Sequence, residues 1–371
     1  MPSVFDIAYR GGGIKGAAFV GALEVLLRRG HTQRRRIGTS VGAIFATCDA
    51  CGYTPAEMTD ELQRTDAEGR PLFMAFLAPA KPGGPLRGAV AEALQRAAGA
   101  LPHLTERNSR HLGVKTLGLI FDGAACSDQP FRDWLAARFE AKGVPPAVTL
   151  ADFHPLLNRA GPAQLTLVAA DITGKECLLL NERTTPKLPL LEAVRMSMGV
   201  PFVWPAVEWK AAWGPYRRQP GVESDLTGHL VVDGGLLSNF PLRFLLEPRH
   251  TQDAGLLGPL AGAAKPLGLL LSDADPVPDF QQDERRPLAD RLPVVRLGSQ
   301  LFDALLDNGD AESLRMFLPT ADEPKVVCRI GTRGYNSLDF DLPWESDEGR
   351  SLKALVNSGR DAMTRHLARL G

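Results

Sequence analysis

Apolar residues fall into short runs that stop at glycine or aspartate, and most runs are followed by a stretch with helical spacing. Phe5 to Tyr9 reads as a first strand. Ile14 to Arg29 then carries apolar side chains at helical intervals up to Gly30, a natural helix-ending residue. Arg36-Ile37-Gly38 closes a second strand, and Val41 to Cys51 is the helix after it, stopped by Gly52. Thr54-Pro55 supplies the N-cap and first-turn proline of a further helix, running to about Arg64. This β-α-β-α order predicts an α/β protein with a mainly parallel sheet covered on both faces.

Leu72 to Leu104 breaks the alternation. Pro71, Pro79, Pro82 and Pro85 punctuate it, beside a Gly83-Gly84 pair and an apolar cluster of Leu72, Phe73, Met74, Phe76 and Leu77. A helix is predicted from about Leu86 to Ala98, and residues 68–115 are expected to form a cap or insertion. Leu117 to Phe121 is again a strand, ending at Asp122-Gly123, and Ser127 with Pro130 opens a helix to about Lys142. Leu165 to Ala170 and Glu176 to Leu180 pair around the turn Thr173-Gly174, and Leu188 to Met198 is helical. Later strands are His229 to Val232, Leu267 to Leu271 and Lys325 to Ile330, before a terminal helix from Asp347 to Leu370. With no internal repeat and no clear linker, the expectation is one domain over residues 1–371. Its motif-bearing core is expected at 4–245 and a C-terminal extension at 246–371.

Composition narrows the function classes. The 371 residues are 44% apolar and 23% charged, with a formal net charge of −1, which argues against a nucleic-acid binder that relies on overall positive charge. Five cysteines do not make a disulfide framework in a chain of this size. Cys48 and Cys51 form a C-x-x-C late in a helix, without further ligands at zinc-like spacing, so they read as two small residues on one helix face. The start lacks a secretory signal, and no apolar stretch is long enough for a membrane span. A cytoplasmic protein, soluble or peripheral at membranes, is expected.

The chemistry lies in two glycine-framed corners. Gly38-Thr39-Ser40-Val41-Gly42 has the form of a nucleophile elbow, whose glycines let the chain turn sharply enough to expose Ser40 at a strand end. Gly11-Gly12-Gly13-Ile14-Lys15-Gly16 offers backbone N–H groups at a helix start, suited to a developing oxyanion. Gly11, Gly13 and Gly16 also satisfy a dinucleotide fingerprint, but the second strand ends in Thr39-Ser40 where that motif needs an acid. A P-loop fails for want of a following Gly-Lys-Ser/Thr. None of His103, His111, His154, His229, His250 and His366 sits in an obvious strand-end turn, which leaves a Ser–Asp dyad as the economical choice. Asp171, Asp233 and Asp273 each follow an apolar strand, where a parallel sheet would put them on the elbow's edge. Asp233 differs in being followed by Gly234-Gly235, which permits a tight turn; partial burial would raise its pKa into the range of a useful base.

These three segments, in this order, resemble the signatures of patatin-like phospholipases. Further similarity runs through Phe121-Asp122-Gly123, Ala170-Asp171-Ile172-Thr173 and Ser197-Met198-Gly199-Val200-Pro201-Phe202, covering roughly residues 4 to 245. The resemblance implies a three-layer α/β/α fold and a serine esterase of phospholipase A type, cleaving carboxylic esters of phospholipids or related acyl lipids through an acyl-enzyme. It makes Ser40 the nucleophile, Asp233 the base and Gly11, Gly12 and Gly13 the oxyanion hole, with Lys15, Gly16, Gly38, Gly42, Gly234 and Gly235 in support. It implies no metal and no cofactor. Arg10 departs from the family's usual small or acidic residue and could alter headgroup preference. Leu72, Phe73 and Phe76 are the candidates for membrane contact, the alternative being that they pack on the core. The basic run Arg28, Arg29, His31, Arg34, Arg35 and Arg36 falls at the opposite end of the sheet and reads as a solvated turn. A nucleotide-binding module and a regulated binder without constitutive activity are the alternative functions.

Overall fold

The first apolar run forms β1 (Val4–Tyr9), which leads through a 3-10 turn (Gly13–Ala17) into α1 (Ala18–Arg28). Strand β2 (Thr32–Thr39) follows, then α2 (Val41–Ala50) and α3 (Pro55–Gln63). In α3, Thr54 and Glu57 form a reciprocal capping box, which satisfies two backbone donors at the helix start. The computed structural model describes residues 2–78, 124, 126–247, 255–278, 310, 314–346 and 350–371. The helix expected at Leu86–Ala98, the strand at Leu117–Phe121, the Asp122-Gly123 turn and most of the 68–115 insertion lie outside the described residues.

After a 3-10 segment at Leu72–Leu77 come α4 (Gln129–Ala141) and α5 (Leu150–Leu157). The hairpin of β3 (Gln164–Asp171) and β4 (Glu176–Leu180) leads to α6 (Leu190–Met198). Short strands β5 (Val207–Glu208), β6 (Tyr216–Gln219), β7 (Val222–Ser224) and β8 (Leu230–Asp233) precede β9 (Lys265–Pro276). Strand β10 (Val327–Arg333) and the terminal helix α7 (Leu352–Leu370) complete the order. Helix α7 starts at the Ser351 cap, later than the expected Asp347.

The main sheet runs β10-β9-β1-β2-β3-β8-β5, with β4 also on β3. The pairings from β10 across to β3 are parallel, while β4, β8 and β5 pair antiparallel. Every residue of β3 is buried, as expected for a strand covered on both faces.

One detail of register positions the site. Strand β2 lies along β3 from Gln164 to Val168, and β8 pairs with β3 from Ala169 to Asp171. Because β4 occupies the other edge of β3 there, β8 continues the edge that β2 leaves. The two strands run toward each other and meet at their carboxyl ends. This corrects the expectation that Asp233 ends a parallel strand. Asp273 also differs from expectation, since β9 continues past it to Pro276.

The basic run is not a simple solvated turn. Arg28 and Arg29 are exposed, but Arg34 forks onto Asp6, with Nη2 2.5 Å from Oδ2. Arg35 is buried against Asp6 and Gln164, and Arg36 pairs with Asp49.

Candidate active site

The junction of β2 and β8 brings Ser40 and Asp233 together. Ser40 sits between β2 and α2 with φ 58° and ψ −127°, a conformation a non-glycine residue holds only when its surroundings enforce it. Enforcement comes from both sides. The Ser40 amide donates to the Ser197 carbonyl at 3.1 Å, and the Ser197 hydroxyl is anchored on the Val168 carbonyl at 2.6 Å. A Cβ on Gly38 would strike the Gly42 carbonyl, and one on Gly42 would strike the backbone of Tyr9, so both corner positions require glycine. Gly16 packs directly against the Val41 side chain.

Asp233 is wholly buried, and its amide donates to the Gly199 carbonyl at 3.0 Å. Its Oδ1 accepts the Gly235 amide at 2.7 Å, while Oδ2 makes no well-formed hydrogen bond among the described residues. Burial pushes the carboxyl pKa up to about 7, against the opposing pull of the neighbouring Ser40 hydroxyl and the Gly235 amide. Gly234 lies flat on β3, where any side chain would strike the Val168 carbonyl. The Thr39 hydroxyl donates to the Ser238 carbonyl at 2.8 Å and ties the end of β2 to the loop after Asp233.

The glycine loop runs beside this pair. The Gly11 amide donates to the Asn239 carbonyl at 3.0 Å, which removes it from the expected oxyanion donors. The amides of Gly12 and Gly13 donate to no other described residue, and both glycines border the same pocket as Ser40. Gly13 has φ 56° and rests against the Ser337 carbonyl, so the loop's course there depends on its lacking a side chain. Lys15 is buried and pairs with Asp273 at 2.9 Å, which ties the loop to β9. Arg10 does not face the pocket. It is buried against Asp310, with Nε 2.6 Å from Oδ2, while Asp310 also accepts the Asn239 side-chain amide at 3.1 Å and the Phe240 amide at 2.7 Å. The sequence reading missed Asp310 and Asn239 and gave Ser197 no role beyond its place in a family-like stretch; for Asp310 no local signal could have found it.

The pocket at Ser40 is apolar along most of its length, lined by Val41, Ile44, Phe45, Met58, Leu62 and Phe73 among others. Phe73 and Phe76 form its wall with Trp134, in edge-to-face contacts at 5.4–6.0 Å. Phe73 and Phe76 are buried and so follow the alternative expectation of packing on the core, while Leu72 is half-buried. No described histidine lines the pocket. His229 instead holds Asp171 at 2.7 Å, and Asp171 closes its own turn through the Thr173 and Gly174 amides. His103, His111 and His250 lie outside the described residues. Cys48 borders the pocket, its thiol pushed up to about 12 chiefly by burial, and Cys51 is raised likewise, so neither is a ready nucleophile. Among the described residues no helix is long and apolar enough to cross a membrane.

Comparison with known proteins places this geometry in a family. YqhO, an uncharacterized protein of Bacillus subtilis (strain 168), is 25% identical over 260 residues, covering 68% of this chain and 70% of its own. Among solved structures, VipD from Legionella pneumophila is 16% identical with a TM-score of 0.43, over 99% of this chain and 67% of that one. The type III effector ExoU of Pseudomonas aeruginosa is 15% identical with a TM-score of 0.39, and this chain spans 53% of its length. The sequence model of the patatin-like phospholipase family matches residues 7–246, a span that holds the elbow, the glycine loop and the Asp233 turn. With most of its length matched, and with the elbow and the glycine loop lining one apolar pocket, the chain belongs to the patatin-like phospholipase family.

Proposed function

We propose that this chain hydrolyses carboxylic ester bonds of phospholipids or related acyl lipids through Ser40 and Asp233. The observation that carries the reading is the buried Asp233 carboxyl, with the Ser40 hydroxyl of a strained elbow beside it and Oδ2 making no other hydrogen bond among the described residues. As Asp233 takes the hydroxyl proton, Ser40 Oγ attacks the ester carbonyl, and the oxyanion forms toward the Gly12 and Gly13 amides. Asp233 then protonates the departing alcohol, leaving an acyl-serine. Water gives its proton to Asp233 and attacks that ester, and the fatty acid leaves as the proton returns to Ser40. The apolar pocket accepts the acyl chain. The nucleotide reading has less support, because β2 ends without a carboxylate and the glycine loop borders an apolar chamber.

The test is release of fatty acids and lysolipids from mixed phospholipid vesicles, followed by mass spectrometry, with Ser40→Ala alongside. Release by the wild type alone is expected. Fluorophosphonate labelling of Ser40 without release from any lipid would instead favour a regulated binder. The pH dependence supplies a second check. Since the base must be ionised, kcat/KM should climb with pH along one acid limb centred near 7 and level off above it. A limb centred near 4 would mean that the base is not a buried carboxyl.

A further inference from the structure

Helix α7 borders a second, polar cleft that shares no described residue with the pocket at Ser40. Ala362, Arg365, His366 and Arg369 recur at helical spacing and line it from one face of the helix. Across from them stand alternate residues of β10, Arg329 and Gly331 among them, and the end of β9 at Asp275 and Pro276. The Ser358 hydroxyl donates to the Gly331 carbonyl at 2.7 Å and fixes α7 on that strand. The cleft holds about 400 Å³, within the range of small-ligand sites.

Its charges do not cancel. Arg329 is held by Glu323, with Nε 2.9 Å from Oε1. Arg365 and Arg369 are exposed and form no ion pair among the described residues. They lie one helical turn apart, with Cβ atoms about 5–6 Å from each other, so both guanidiniums can close on one anion. His366 is only 2% exposed, yet neither ring nitrogen has a hydrogen-bond partner among the described residues. Burial, and then Arg369, hold its pKa down to about 4, so near neutral pH it offers one N–H donor and no charge. A buried donor without a partner weakens the fold, and a ligand oxygen in the cleft satisfies it. Asp275 also lines the cleft; its carboxylate repels a bare anion but accepts a hydroxyl.

We propose that this cleft binds a small soluble phosphate monoester whose body carries hydroxyl groups. Arg365 and Arg369 take the phosphate oxygens, the His366 N–H donates to one of them, and Asp275 accepts a ligand hydroxyl. No described Phe, Tyr or Trp lines the cleft, so nothing there stacks on a nucleobase. The site stands whether or not Ser40 hydrolyses lipids.

Glycerol 3-phosphate and inorganic phosphate are titrated into the full chain by calorimetry near neutral pH. Both should bind one to one, glycerol 3-phosphate about tenfold more tightly. Arg365→Ala and Arg369→Ala should each weaken both ligands by about tenfold or more, and their exposed positions keep the test valid if His366 variants do not fold. His366→Gln keeps a donor and should bind nearly as the wild type does, whereas His366→Leu should lose about tenfold. Asp275→Ala should tighten inorganic phosphate, weaken glycerol 3-phosphate and so close the gap between them. No saturable binding, or binding that survives loss of both arginines, overturns the site. A gap that Asp275→Ala leaves unchanged overturns the hydroxyl contact. Cosedimentation of the Ser40→Ala protein with phosphatidic acid vesicles distinguishes a lipid source. That lipid carries the same phosphate with its glycerol hydroxyls esterified, so recruitment is not expected. Recruitment without binding of glycerol 3-phosphate would overturn the soluble ligand in favour of a headgroup.

Discussion

Asp233→Asn should lower turnover by about 10³–10⁴-fold and at the same time make the protein more stable above pH 7. In the proposed mechanism the loss of rate follows from removing the group that takes the Ser40 proton. The gain in stability follows from burial. The Asp233 carboxyl titrates near 7 in the folded chain, against an ordinary value of 3.8. Below about pH 4 both states carry the proton, and the residue contributes no pH dependence. Between about 4 and 7 the folded chain keeps a proton that the unfolded chain has lost, so folding weakens as pH rises through that window. Above 7 the buried carboxylate costs about 2–4 kcal/mol relative to the protonated form. Asparagine keeps an oxygen for the Gly235 amide and carries no charge at any pH. Urea melts at about pH 3.5 and at pH 8 should therefore show near-equal stabilities at the lower pH and a variant stronger by about 2–4 kcal/mol at the higher. A variant no more stable at pH 8, or one retaining a tenth of the activity, would show that Asp233 is not a buried base. The same burial that weakens the fold raises the carboxyl into the range that the proposed base requires near neutral pH.

Much of the site was legible because its signals are local. Gly38 and Gly42 are dictated by atoms within their own corner and the neighbouring strand, and a G-x-S-x-G run announces that corner directly. The capping box at Thr54 and the glycine stops at Gly30 and Gly52, both at positive φ, are equally local. What the sequence hid depends on distant partners. Leu230–Asp233 reads the same whichever way the strand runs, and four residues carry no directional signal. Its antiparallel course comes from the free edge of β3, which no property of the segment itself encodes. Gly11 looked like an oxyanion donor until Asn239, far along the chain, claimed its amide. Phe73 and Phe76 are three apart in a 3-10 segment, a spacing that eclipses them on one side. Whether that side meets lipid or Trp134 is decided by α4, not by the run.

The Arg10–Asp310 pair should prove worth far more to break than to build. Replacing Arg10 with methionine leaves the Asp310 carboxylate in the interior with, among the described residues, only the Asn239 and Phe240 donors, and should cost about 3–5 kcal/mol. Asp310→Leu should cost about as much, since it takes away the guanidinium's counter-charge and leaves the Phe240 amide without its acceptor. The double replacement removes both charges and should cost at least about 2 kcal/mol less than the sum of the two, well outside the ~0.5 kcal/mol scatter expected of independent sites. Urea unfolding of the four proteins measures this, and additive losses would show that the two groups do not act as a pair. Activity should follow. Arg10 immediately precedes the glycine loop, and Asn239 and Phe240 lie on the turn that carries Asp233. Asp310 thus joins the start of the glycine loop to the segment that follows Asp233, from a position beyond the span that matches the family. Each single variant should lower kcat at temperatures where it remains folded, because Arg10→Met frees one side of the Gly11–Asn239 link and Asp310→Leu frees both. Unchanged kcat in a folded but destabilised variant would confine Asp310 to stability. A parallel fall in both would mean that the C-terminal part of the chain helps hold the dyad in register.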